Sequence, residues 1–261
     1  MNNNKSPHFN LAKHWAWFFY ISIFCITYLY ISEDAYKIVT LSMPKSQYSM
    51  WHDIYYQLSN GIEIPFQHWI GLFLLFFQYM TIQTMPNMLL RYSNKTQWYW
   101  KSIRALWGIA FKTVALGYLL MFGMSFIRFG LPHSITFGNY VPCAHPIPVM
   151  LVTSFLCRLN ISCFTAIIFL LITIWKNNGI ISYLVCIVYM IIVHVVLWIT
   201  PPFISFKRIV FASCFTYHYI SDGYYLENVF NAFGLPLIFG LIGIWISYNL
   251  LDGFPERGKQ Q

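Results

Sequence analysis

Residues 91–104, RYSNKTQWYWKSIR, decide how this chain is read. They hold four of the sixteen Lys and Arg residues, with Trp98, Tyr99 and Trp100 in a row. A long apolar run lies on either side, 66–84 before and 105–127 after. Lysine and arginine collect on the cytoplasmic side of membrane proteins, and tryptophan and tyrosine settle at headgroup level. A basic, aromatic connector between two apolar runs therefore reads as a segment in the cytoplasmic headgroup layer. The plainer reading is a short loop that satisfies the positive-inside rule and has no other task.

Composition widens the argument to the whole chain. Of 261 residues, 58% are hydrophobic, 20% aromatic and 9% charged. A soluble domain carries about 25% charged residues, so too little polar surface exists here to cover a water-soluble globule. Several apolar runs reach the roughly 20 residues that cross a hydrocarbon core as a helix. The fold class expected is all-α, a polytopic transmembrane bundle.

Walking outward from the connector gives six spans in one domain over 1–261. Residues 1–14 are polar and cationic, which holds the N-terminus inside. The run 15–31 is too long for a signal-peptide core and lacks a small-residue cleavage site behind it, so it reads as the first span. Glu33 and Asp34 mark its outer end and open a loop to about residue 65, with Trp51, Tyr55 and Tyr56 as interface anchors. The second span is 66–84, closed by Pro86, and the third is 105–127, followed by Arg128. Residues 129–148 are rich in Gly, Pro and His and read as a loop. The fourth span is 149–175, the fifth 180–200, and residues 176–179 turn tightly between them. The sixth span is 233–251, where Gly240 and Gly243 permit close helix approach. Both termini then lie in the cytoplasm. Residues 203–231 are too apolar for a free loop yet are broken by Lys207 and Arg208. Two readings fit them: a re-entrant outer hairpin of short helices between spans five and six, or an outer loop folded against the bundle.

The net charge of +8 belongs to this topology. Nine of the sixteen basic residues fall inside on this map, and six of the eight acids fall outside. That distribution points to a lipid bilayer and excludes a nucleic-acid groove.

Little in the sequence suggests bond chemistry. No GxxxxGK[ST], HExxH or GxSxG run occurs, and the histidines are scattered without metal-ligand spacing. Neither a metal nor a cofactor is therefore expected in this chain. Cys143 and Cys214 both fall in outer loops, where they either pair or remain two thiols. Lys112 lies about two turns inside span three, near enough to the inner surface to snorkel. Arg158, with Asn160 just beyond it, falls about ten residues into span four, and a charge at membrane depth is a functional candidate by default. It faces a polar cavity, pairs with a carboxylate such as Glu63 or Asp222, or sits at the outer interface if span four starts later. His194, alone on an apolar stretch, is the remaining polar group of interest.

Six spans, cytoplasmic ends, a basic aromatic connector after span two and an apolar outer segment after span five resemble the permease subunit of an ATP-binding-cassette (ABC) transporter of the type-2 exporter class. The chain is most similar to small Gram-positive permeases of bacteriocin, lantibiotic or other antimicrobial-peptide export and immunity. Many of these carry an Arg-x-x-Ser-Arg-x-x-Trp-x-x-Lys-like run after the second helix. Here that run is Arg91, Ser93, Asn94, Lys95, Trp98 and Lys101, without the second arginine.

The resemblance implies a multi-pass protein of the bacterial plasma membrane that works as a dimer with a second permease copy or a related permease. It implies a separate ATP-binding ABC subunit, holding the ATP and Mg, docked on residues 91–104. Arg91, Lys95, Trp98, Trp100, Lys101 and Arg104 would form the coupling contact. Arg158, Asn160 and His194 would border the substrate path, and the subunit itself would be no enzyme. Two other classes remain open: a membrane-embedded peptidase or lipid-modifying enzyme, and a stand-alone immunity or accessory protein.

Overall fold

A computed structural model of the chain describes residues 11–41, 48–59, 68–84, 92, 94–130, 147–199 and 233–253. The described residues are all-α. Seven helices follow in order: α1 (Leu11–Val39), α2 (Met50–Ser59), α3 (Ile70–Gln83), α4 (Lys95–Phe129), α5 (Ile147–Lys176), α6 (Gly179–Ile199) and α7 (Leu235–Asn249). A 3-10 turn at Leu250–Gly253 follows α7. Arg91, Glu63, Cys143, Cys214, Asp222 and the expected outer hairpin at 203–231 lie outside the described residues.

Three helices, α1, α4 and α5, are long and apolar enough to cross a membrane, which is consistent with a membrane protein. At 1.5 Å per residue they run roughly 43–52 Å, well beyond a hydrocarbon core of about 30 Å. α3 is a shorter apolar helix, as are α7 and the described part of α6. Large apolar side chains cover the outside: Phe18, Ile26 and Leu29 on α1, Leu119 and Ile127 on α4, Leu184 and Val188 on α6, Leu237 and Trp245 on α7. A soluble monomer rarely exposes contiguous apolar surface of this extent.

The inner faces show why the helices assemble. On α1 the buried positions are Ala16, Tyr20, Phe24, Tyr28, Ile31, Ser32, Ala35 and Val39, a stripe that carries three aromatics and one serine. On α4 they are Tyr99, Ile103, Leu106, Ala110, Thr113, Gly117, Met121 and Ser125, with Trp98, Ser102, Val114 and Tyr118 beside them. Those spacings of three and four place the residues on one helix face. α4 packs on α5, α5 on α7 and α6, and α3 on α1, α4 and α6. Glycines set the closest approaches: a Cβ on Gly71 would stand 3.2 Å from the Tyr20 Cα, and one on Gly243 would stand 3.0 Å from Ile167 Cγ2.

Two features depart from the sequence reading. The connector is not a separate loop, because α4 starts at Lys95. Asn94 caps it, its side-chain oxygen accepting from the Gln97 N–H at 2.7 Å, and the helix runs unbroken to Phe129. It stops at Gly130, whose φ of 70° is open to glycine at little cost, and whose N–H donates to Phe126 O. The second departure is α2, a helix inside the stretch taken as an outer loop. Its His52, Asp53, Ile54, Gln57 and Leu58 are buried. Trp51 packs edge-on against Phe122 at 6.4 Å and Tyr55 is buried, so both serve the bundle more than a membrane interface.

α2 and α3 lie at different levels of the bundle. α3 begins, after a π-helical turn at His68–Trp69, at the level of Tyr20 on α1 and Thr113 on α4. From there its 14 residues reach only about 21 Å toward the end carrying Lys95. The other half of the bundle is filled by α2, which lies against α1 and α4 at the level of Tyr28 and Ser125.

Candidate functional site

One polar network between α1, α2, α3, α4 and α5 draws on residues spread along the sequence from Tyr20 to Ser162. At its far end from the connector, Asp53 is wholly buried. Its carboxylate accepts from Tyr28 OH, from Ser32 Oγ at 2.5 Å and from Ser125 Oγ at 2.6 Å. Tyr28 OH and Ser125 Oγ also lie 2.8 Å apart. Arg128 Nη1 donates to Ser32 Oγ at 2.9 Å while its Nη2 donates to Glu33 Oε2 at 2.6 Å. The surface pair Arg128–Glu33 is thus joined to the buried carboxylate through one serine, and α1, α2 and α4 are held together. Tyr48, just before α2, is buried nearby; desolvation, with the Asp53 charge adding to it, pushes its phenol well above the usual tyrosine range.

Deeper in the bundle is a second set. Gln57 Nε2 donates to Tyr28 O at 3.0 Å, and Arg158 Nη2 reaches the Gln57 carbonyl at 3.4 Å. The Arg158 guanidinium carbon lies 5.6 Å from the centroid of the Tyr118 ring, and Tyr118 OH donates to Ser154 at 2.7 Å. Below Arg158, Ser162 Oγ donates to the Arg158 carbonyl at 2.7 Å, which leaves its oxygen to accept from His68 Nε2 at 3.1 Å. His68 then carries its proton on Nε2, and its bare Nδ1 faces Tyr20 OH at 3.2 Å. Tyr20 OH has one proton, which it donates to Thr113 O at 2.9 Å. His68 therefore ties α3 to α5 through Nε2 and sets its Nδ1 beside Tyr20 on α1, which is a structural role.

The three residues expected along a substrate path separate. Arg158 joins this network beside Gln57 and Tyr118. Asn160 faces the other way, its Nδ2 donating to Phe233 O at 3.3 Å, and with Trp107, Cys163, Ile167, Gly240 and Ile244 it borders an apolar groove between α5 and α7. His194 belongs to α6, and its side chain lies outside the described residues. Lys112 is exposed on α4, away from this network. Among the described residues no group of three or more His, Cys, Asp or Glu side chains is placed to hold a metal ion. The residues missed by sequence reasoning are Asp53, Gln57, His68, Tyr28 and Ser125. Ser49 followed by Asp53 in a first helical turn was their available signal, since serine caps helices and an acid suits their positive end.

The connector end forms the other candidate region. Trp98 is buried, with Nε1 donating to Gln83 O at 3.3 Å. Lys95 Nζ donates to Leu251 O at 3.3 Å, and Tyr99 OH meets Ser247 Oγ at 2.6 Å. Lys101 Nζ lies 5.1 Å from the Tyr92 ring centroid. These contacts clamp the start of α4 between the ends of α3 and α7. They leave Trp100, Lys101 and Arg104 exposed in one patch of the helix surface. Of the expected contact residues, Trp98 is therefore a core anchor and Lys95 a brace to the C-terminal turn. Neither a family model, nor a curated protein, nor a solved structure matches this chain.

Proposed function

We propose that this chain is the transmembrane subunit of an ABC exporter, moving an amphipathic substrate with ATP hydrolysed by a separate subunit. The observation that carries this reading is the continuity of α4. Its first ten residues are the basic, aromatic segment, and they run without a break into the helix ending at Phe129. A rigid helix about 52 Å long transmits a push at one end to the other. Exposed Trp100, Lys101 and Arg104 offer a partner its handle, and the clamp to α3 and α7 carries the same motion into two neighbours. The polar network around Tyr118 and Arg158, about 15 Å along α4 from Arg128, lies where such a motion would act on a path. In this scheme the Lys95 end faces the cytoplasm of a bacterial cell, and six traversals bring both termini there.

The test is purification of the tagged chain from its native membranes in mild detergent. The expected result is a co-purifying nucleotide-binding subunit with ATPase activity, lost in Lys101→Glu/Arg104→Glu while the chain still inserts. A chain that purifies without an ATPase, or a cysteine at position 94 labelled from outside intact cells, overturns the proposal.

A further inference from the structure

The apolar groove bordered by α5 and α7 has a cation level with one of its ends. Antiparallel pairing of α4 and α5 sets the levels: Tyr118 OH donates to Ser154, and Trp107 Nε1 donates to Cys163 O at 3.3 Å. From Cys163 toward the Lys95 end of the bundle, α5 reaches Ile167 after about 6 Å. In the same direction from Trp107, α4 reaches Arg104 after about 4.5 Å. Ile244 of α7 closes the same end of the groove, and its carbonyl accepts from Tyr99 OH at 3.0 Å. Arg104 belongs to an exposed stripe on α4, Trp100, Arg104, Trp107 and Phe111, whose spacings of four, three and four put them on one face. Beyond Trp107 the groove follows α7 back to Pro236, roughly 12 Å from Ile244, past Leu237 and Gly240.

Charge and depth say what fits this face. The sequences of α4, α5 and α7 contain no Asp or Glu, while α4 alone has five Lys and Arg residues. The apolar run 105–127 is long enough to fill a hydrocarbon core of about 30 Å, so Arg104, directly before it, stands at the level of lipid phosphates. Helical side chains lean toward the N-terminus of their helix, which carries the Arg104 guanidinium away from the core and toward the headgroups. Its planar fork matches a phosphate, and the indoles above and below it suit the same interfacial layer. We infer that the face made by α4, α5 and α7 binds one anionic phospholipid, with its phosphate on Arg104 and one acyl chain in the groove past Trp107. Basic pockets between helices on the cytoplasmic side hold acidic headgroups in this way. Such a site asks only that the bundle sit in a bilayer, so it goes beyond the exporter reading.

The experiment needs no ATPase partner, so its failure and the failure of the coupling reading are distinct. The full chain is placed in phosphatidylcholine nanodiscs containing a minor share of phosphatidylglycerol, released into mild detergent, and weighed with its retained lipid by native mass spectrometry. The expected result is one retained phosphatidylglycerol, enriched about fivefold or more over its share of the bilayer. Arg104→Gln removes most of that enrichment and Arg104→Lys keeps part of it. Lys112→Gln, which removes another exposed cation of α4, leaves it unchanged. Soluble glycerol phosphate, a headgroup without a tail, does not displace the lipid. Absence of enrichment on the unaltered chain overturns the inference, as does full enrichment in a folded Arg104→Gln. Displacement by glycerol phosphate overturns it too, because the groove then holds no tail, and so does a dimer paired through this face that retains no phosphatidylglycerol.

Discussion

Asp53→Ala removes the acceptor that three buried hydroxyls share, and the geometry fixes what is left. Tyr28 OH and Ser125 Oγ are 2.8 Å apart and can bond each other, so one of their two protons keeps a partner. Ser32 still accepts from Arg128, but its own proton loses Asp53 Oδ1. Two donors are therefore orphaned in a fully buried setting, at about 1–3 kcal/mol each. Relief of the cost of burying a carboxylate offsets part of that loss. The net destabilisation expected is about 2–4 kcal/mol, a fall in Tm of roughly 5–10 °C at this chain length. Asp53→Asn loses less, about 1–2 kcal/mol, because the amide oxygen can keep Tyr28 and Ser125 while its NH2 group turns to Ser32.

The assay is thermal unfolding in one detergent, read by the loss of monodisperse protein, with Ser32→Ala and Asp53→Ala/Ser32→Ala completing a cycle. The double variant should cost less than the sum of the singles, since Ser32 has no acceptor left to lose. An Asp53→Ala chain within about 2 °C of the unaltered one would refute the reasoning. So would an asparagine variant as damaged as the alanine one, because the network would then depend on charge and not on the number of acceptors.

Gly71→Ala should destabilise by about 1–3 kcal/mol, because its Cβ meets the Tyr20 backbone and α1 must shift; the same thermal assay reads it. Gly108→Ala is its control: nothing lies within 4 Å of the added methyl, so a gain of about 0.5–1 kcal/mol is expected from helix propensity. Lys101→Glu/Arg104→Glu should leave Tm within about 2 °C of the unaltered chain, as exposed substitutions do. Trp98→Ala should lower stability by about 3–5 kcal/mol through lost core volume, whatever its effect on a partner.

How much of this the sequence carried differs between elements. The long apolar runs announce helices because membrane-length hydrophobicity is a bulk property that needs no partner to be read. α2 was hidden for the opposite reason. Residues 50–59 bury His52, Asp53 and Gln57, and a polar face turned inward looks, in sequence, like a polar face turned to water. Only the positions of Tyr28, Ser32 and Ser125, which are 21–72 residues away from Asp53, decide between the two. The start of α4 was legible in principle: Asn94 three residues before Gln97 is close to a capping box. The basic and aromatic character of the connector drew attention to its surroundings instead of its backbone.

The same contrast bears on which residues of the connector can act on a partner. Sequence groups Lys95, Trp98, Trp100, Lys101 and Arg104 as one cationic aromatic patch. Folding sorts them, because a helix with Trp98 and Tyr99 facing α3 and α7 must turn Trp100 and Arg104 away from it. In the proposed exporter, a push at the exposed residues would reach the polar network along two routes, directly up α4 to Thr113 and Tyr118, and through Gln83 along α3 to His68. Both routes converge on Tyr20, which contacts His68 and the Thr113 carbonyl. A Tyr20→Phe chain keeps the ring packing and loses both polar contacts, so it should fold while transmitting less. If a partner ATPase still binds to Tyr20→Phe and substrate-stimulated turnover is undiminished, the helices move as one body and the convergence at Tyr20 carries no signal.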